Sequence, residues 1–189
     1  MPDVPTHLAL GGIEILLALS RPLANLSAGL YVPGNMRGIM AAGLAGEVRV
    51  RAGRSIEEEL LAQRPFSLGN AYATAAGGLA ASGVSLLAHG ITSAEPGETP
   101  RTTHVERALR AALTLFDDSA IRSATLPLME IAAGSLDGRG QGLALAALLA
   151  GHMRRGSRLR RVTVAGLDPE FLAGLRQGLL DAGALAVEA

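Results

Sequence analysis

The stretch with the most chemistry to explain is residues 126–140, LPLMEIAAGSLDGRG, which follows an apolar run and spends three glycines and two carboxylates on one segment. Glycine lets backbone amides converge on an anion. A carboxylate in the same segment repels what those amides attract, so Glu130 sets the question of whether an anion still fits. Within the stretch, Gly134-Ser135-Leu136-Asp137-Gly138 has the look of a nucleophile elbow but carries Ala133 where the elbow requires glycine. Gly138-Arg139-Gly140-Gln141-Gly142 is similar to a dinucleotide-binding turn, with Asp168 as a ribose carboxylate, but it stands about ten residues after the preceding apolar run.

The four histidines, His7, His89, His104 and His152, have no metal-pair spacing, and the chain has no cysteine. Disulfides, thiolate metal sites and a cysteine nucleophile are thereby excluded. His89 ends an apolar run and reads as a half-buried, satisfied histidine rather than a catalytic one. No metal and no cofactor is expected.

Seventeen basic residues balance seventeen acidic ones, so the total charge points to neither nucleic acid nor an anionic membrane as partner. Every basic residue is arginine, which fits the codon bias of a GC-rich genome before it fits selection for bidentate anion contacts. The cluster Arg154, Arg155, Arg158, Arg160 and Arg161 reads as a solvated turn at a helix end. With 49% hydrophobic and 18% charged residues, the 189-residue chain is expected to form one domain over 1–189. Its first residues lack a signal-peptide pattern, no apolar run reaches bilayer length, and a soluble cytoplasmic protein is the expectation.

The elements that must position these residues alternate. Strands are predicted over 13–19, 30–32, 84–91, 123–128, 162–167 and 184–188. Helices are predicted from a capping box at Ser55 to Arg64, from a second box at Thr103, over 141–155, and from Asp168-Pro169 to Gly183. A further helix is predicted between Asn35 and Arg51, although Gly38, Gly43 and Gly46 weaken it. Thr92 to Thr102 reads as a surface loop. The pattern is that of an α/β protein, a three-layer α/β/α sandwich with a mixed, largely parallel central sheet, whose ligand site lies beyond the carboxyl ends of the strands.

From about Ile13 to Gly183 the chain resembles the macro domain, an ADP-ribose-binding module. The resemblance rests on ordered blocks: Leu30-Tyr31-Val32-Pro33-Gly34-Asn35, Ala42-Gly43-Leu44-Ala45-Gly46-Glu47-Val48, Gly53 to Glu58, Gly69-Asn70-Ala71-Tyr72-Ala73-Thr74, Val84 to His89, Ala124 to Leu128 and Val162 to Ala165. It implies a small-molecule ligand of the ADP-ribose or nucleotide type, bound largely through backbone amides. It assigns the distal ribose to Asn35 and the diphosphate to Ala42, Gly43 and Leu44 on one side and to Glu130, Ala132, Ala133 and Gly134 on the other. The adenine face falls to Leu167, with Phe171 as the aromatic stand-in.

Against the family pattern, Val32 replaces a polar partner of Asn35. No aspartate occurs between Asp3 and Asp117, which leaves Glu14 as the substitute reader of adenine. Glu130-Ile131-Ala132 stands where the family carries glycines. An ionised Glu130 about 4 Å from a diphosphate costs about 1 kcal/mol even in water. The resemblance therefore implies a binding module with weakened or altered ligand preference. The alternatives are a macro fold that has lost ADP-ribose and acts in assembly or on another small molecule, and a hydrolase removing ADP-ribose or its terminal phosphate, for which Asn35 is the one catalytic candidate. A fold-level likeness to the amino-terminal domain of leucine aminopeptidases implies no peptidase. Oligomeric state is left open, and Glu130→Gly with Val32→Asn is the pair expected to restore affinity.

Overall fold

The computed structural model describes residues 6–127 and 137–187. Its strands are β1 (Thr6–Leu10), β2 (Ile13–Leu19), β3 (Gly29–Asn35), β4 (Ala71–Thr74), β5 (Leu86–Ser93), β6 (Ser123–Pro127), β7 (Arg161–Gly166) and β8 (Leu185–Ala186). They form one sheet in the order β4-β5-β3-β6-β7-β2-β1-β8. The inner pairs β5/β3, β3/β6, β6/β7 and β7/β2 are parallel, and the outer pairs are antiparallel. The mixed, largely parallel sheet is the expected one. The strands β3, β5, β6 and β7 are buried runs, as parallel strands covered on both faces must be.

Five helices cover the sheet among the described residues: α1 (Gly43–Ala52), α2 (Ser55–Leu61), α3 (Thr102–Asp118), α4 (Gly138–Met153) and α5 (Pro169–Asp181). On one face Leu30 and Val32 of β3 pack with Leu44 and Val48 of α1 and Ile56 and Leu60 of α2. On the other, Ile13, Ile15 and Leu17 of β2 and Tyr31 of β3 pack with α3, α4 and α5. Helix α3 forms because Val105, Ala108, Leu109, Ala112, Leu113 and Phe116 recur at helical spacing, and all six are buried.

The glycines of the GRGQG run have an architectural role. Gly138 and Gly142 of α4 face Gly174 and Gly178 of α5 at i, i+4 spacing on both helices. A Cβ on Gly138 would lie 2.6 Å from the Phe171 carbonyl oxygen, and one on Gly142 would lie 2.9 Å from the Gly178 Cα. These positions are glycine so that two backbones can touch. The likeness to a dinucleotide turn is thus corrected: the glycines lie inside a helix, against another helix.

Several local expectations change. The helix expected from Asn35 begins only at Gly43, because β3 runs on to Asn35 and the chain then turns through Gly38, at φ +67°. Gly46 admits the preceding turn, since a Cβ there would meet the Ala41 carbonyl at 3.1 Å. Ser55 and Thr103 do not act as caps. The residue before α2 is Arg54, already helical, because only Gly53 and Arg54 separate it from α1; α3 starts one residue earlier than its supposed cap. Asp168 does cap α5, accepting from the Phe171 amide at 2.9 Å, with proline in the first turn and Gly183 just beyond the end. Strand β1 was not expected. Its signal was Gly11-Gly12, whose φ values of +56° and +90° make the two-residue hairpin turn into β2.

Candidate functional site

The carboxyl ends of β3 and β5 open on a cavity of about 320 Å³. Its lining includes Asn35, Ala42, Gly43, Leu44, Thr92 and Glu98. Four of the expected site residues, Asn35, Ala42, Gly43 and Leu44, are therefore brought together. The floor is the start of α1. Its N-cap, Ala42, is extended and has no side-chain oxygen to offer, so the first amides of the helix find no side-chain cap among the described residues. A helix of ten residues ending in unpaired amides presents a partial positive charge to the cavity.

Asn35 is buried and braces its own turn. Its Oδ1 accepts from the amides of Arg37 at 3.0 Å and Ile39 at 3.3 Å, and its Nδ2 donates to the Ile39 carbonyl at 3.0 Å. An asparagine at a strand end folds the following backbone onto itself in this way. The opposite wall is the segment after β5, tied to this turn by a fork in which Arg37 donates to both oxygens of Glu95, at 3.1 Å from Nε and 2.8 Å from Nη2. The pair holds the Glu95 carboxyl below its ordinary range and raises the Arg37 guanidinium.

Val32, expected to face the ligand in place of a polar residue, is fully buried beneath α1 and α2. It belongs to the core, so an asparagine there would strand an amide among apolar side chains. Glu14 is also corrected. It is the second residue of β2, at the amino end of the strand and so opposite the end on which the cavity opens, and pairs with Arg161 at 2.8 Å. Leu167 follows β7 and is 65% exposed, and Leu19, which ends the neighbouring strand, is 38% exposed. Phe171 is half-buried and packs against the core. Leu19 was not singled out from sequence; its signal is an exposed leucine ending an otherwise buried strand. Glu130, Ala132, Ala133 and Gly134, together with Ser135, lie outside the described residues.

A second cavity of about 640 Å³ adjoins the first across Ala41 to Gly43 and is lined by Arg21, Arg49 and Arg51 together with Glu47. The guanidiniums are largely spoken for: Arg21 lies 3.5 Å from Glu47, Arg49 2.7 Å from Glu57, and Arg51 donates to the Leu23 carbonyl at 3.1 Å.

Two histidines are structural. His89 lies within β5 rather than at its end and is buried outright, more deeply than expected. Its Nε2 shares a 2.8 Å hydrogen bond with the Thr74 hydroxyl, and burial pushes its pKa down to about 4. At the carboxyl ends of α3 and α4 His152 Nε2 sits 2.7 Å from Asp117 Oδ2, while Asp117 Oδ1 accepts from Ser157 Oγ at 2.8 Å. The carboxylate stands between serine and histidine, so the serine has no base and the group is not a nucleophilic triad. It ties the ends of α3 and α4 together. Burial lowers the His152 pKa against the opposing pull of Asp117. Among the described residues no cluster of three metal-ligating side chains occurs, and no helix is long and apolar enough to cross a membrane.

The model of the macro domain family matches residues 33–138. An uncharacterized protein of Aeropyrum pernix is 31% identical over 150 residues, 79% of this chain and 77% of that one. One from Aquifex aeolicus is 34% identical over 104 residues, and the match spans only 61% of its length. Among solved structures, the Trypanosoma brucei macrodomain in complex with ADP-ribose superposes with a TM-score of 0.69 at 16% identity, over 87% of this chain and 68% of that one. The Oceanobacillus iheyensis macrodomain with ADP gives 0.73 at 10% identity, over 94% and 96%.

Proposed function

The chain belongs to the macro domain family, and from that premise we propose that it is a binding module for ADP-ribose or a related nucleotide, with weakened affinity. The observation that carries the reading is the uncapped start of α1 facing a cavity beyond the carboxyl ends of β3 and β5. A diphosphate seated there takes charge-assisted hydrogen bonds from the amides of Gly43 and Leu44. Asn35 spends one N–H on its own turn and keeps the second for a ribose hydroxyl. Leu19 and Leu167 offer an apolar edge to the adenine, with Phe171 behind them.

The weakening has two sources. Glu14 does not replace the missing adenine reader, because it lies at the amino end of β2, and the family resemblance assigns to the diphosphate a carboxylate, Glu130, of like charge. Titration calorimetry with ADP-ribose is expected to show saturable heat below millimolar ligand; its absence at millimolar ligand overturns the reading. Glu130→Gly is expected to tighten binding about fivefold or more, the equivalent of about 1 kcal/mol. An unchanged affinity would place Glu130 away from the phosphates. Since Val32 is a core residue, the second substitution of the expected pair is dropped: it would unfold before it helped.

A further inference from the structure

We infer that the larger cavity, on the far side of Ala41 to Gly43, is a second ligand site that takes a phosphate monoester, with Arg21 and Arg51 holding its phosphate. The inference stands apart from the nucleotide reading above and starts from the face of α1 that forms one wall. Leu44, Val48 and Ala52 turn into the core, whereas Gly43, Glu47, Val50 and Arg51 recur at i, i+4, i+7 and i+8 and line the cavity. The facing wall is the single 3₁₀ turn Pro22–Ala24 and the residue before it, Arg21.

Two contacts cross from wall to wall and so locate both guanidiniums between them. Arg51, on α1, donates from Nη1 to the Leu23 carbonyl at 3.1 Å, and Arg21 Nη1 lies 3.5 Å from Glu47 Oε1, on α1. Among the described residues each of these guanidiniums makes that one contact, out of five N–H donors. The Arg21–Glu47 pair is long, and its side chains are 67% and 47% exposed, so it is weakly held. Arg49, the third cation of the lining, is engaged differently. Glu57 neutralises it at 2.7 Å, and the same carboxylate accepts from the Met40 amide at 3.0 Å.

The chemistry of the ligand follows from what the walls offer. A tetrahedral phosphate accepts from two guanidiniums at once, whereas a planar carboxylate is matched by a single fork. A volume of about 640 Å³ is more than a phosphate alone fills, and Leu23, Ala24, Met40 and Val50 set apolar surface beside the cations, so the phosphate is carried on an organic body. Among the described residues of the lining, Glu47 is the one carboxylate. It competes with the phosphate for Arg21.

The test is nuclear magnetic resonance on the full chain titrated with inorganic phosphate at constant ionic strength, read at the arginine Nε–H signals and the backbone amides. Saturable shifts are expected at Arg21 and Arg51. Arg21→Gln is expected to weaken phosphate binding about fivefold or more and Glu47→Gln to tighten it about fivefold, both at unchanged melting temperature, since each removes one charge about 4 Å from the phosphate or from its cation. Shifts confined to the amides of Gly43 and Leu44, or two variants that move the affinity in the same direction or not at all, overturn the site and leave nucleotide binding, judged on ADP-ribose alone, standing. Calorimetry with ADP-ribose carrying an added phosphate on its adenosine ribose identifies the source. A gain over ADP-ribose of about fivefold or more that Arg21→Gln abolishes upholds the site and assigns the phosphate to the nucleotide. Arg21 shifts with inorganic phosphate that persist in saturating ADP-ribose, without that gain, uphold it and assign the phosphate to a separate molecule.

Discussion

Gly178→Ala is expected to lower the unfolding free energy by about 1–3 kcal/mol, measured as a shift of the urea midpoint at constant slope. Alanine in a helix interior ordinarily stabilises by about 1 kcal/mol relative to glycine. Here that gain is outweighed. The new Cβ would press into the Arg139 carbonyl oxygen and stand 2.9 Å from the Gly142 Cα, and backbone atoms of a packed helix cannot rotate aside as a side chain can. The two helices must separate, which opens the core beneath Leu175 and Leu179. Gly151, on α4, supplies the contrast. Its Cβ would touch only the end of the Arg154 side chain at 3.7 Å, so Gly151→Ala is expected to be neutral or to stabilise by up to about 1 kcal/mol. If both substitutions shift the midpoint in the same direction, the close crossing of α4 and α5 is not what holds them.

The second large effect is on pH. His89 has a folded-state pKa of about 4 against an ordinary 6.5, because burial disfavours the imidazolium. As pH falls, the unfolded chain takes up this proton first. Its contribution to stability is whole above about pH 6.5 and is lost as pH falls toward 4, by about 2–3 kcal/mol between about pH 7.5 and about pH 4.5. Carboxylates titrate in the same interval, so the quantity to read is the difference between the wild type and His89→Gln, which keeps a partner for Thr74 and cannot ionise. The wild type should lose about 2–3 kcal/mol more than the variant over that interval. Parallel curves would mean that His89 is protonated inside the fold. His152 adds to the slope with the same sign, since burial lowers its pKa too.

Much of the fold was legible because it depends on local chemistry. Strand β2 is the expected Ile13–Leu19, and Asp168, Pro169 and Gly183 bound α5 as their types require. Reading failed where tertiary structure reassigns a residue. The capping boxes at Ser55 and Thr103 have the right spacing, but neither residue stands before its helix. The GRGQG run has the composition of a phosphate turn, yet its partner pattern, Gly174 and Gly178, lies in a distant segment and could be recognised only by matching the i, i+4 interval in both.

The site shows the same division. Ala42, Gly43 and Leu44 were legible through the resemblance to the macro domain, whose glycine loop enters a helix at this place in the block order. Val32 was misplaced because sequence does not reveal which face of the sheet a strand residue occupies, and Glu14 because it lies at the amino end of β2. Glu98 was overlooked entirely: it lies in a segment with linker composition, and only the fold brings that segment opposite α1.

The glycine crossing also bears on how this protein can change. It clamps the first turn of α4 at Gly138, directly after the segment 128–136, and Pro127 is fixed at the other side by its pairing with Ala165 in the sheet. Gly138 and Pro127 are each held by backbone contacts of the scaffold itself. Any enlargement of Gly138 or Gly142 therefore asks for a compensating shift of α5, so the four glycines of the crossing are free to change only together.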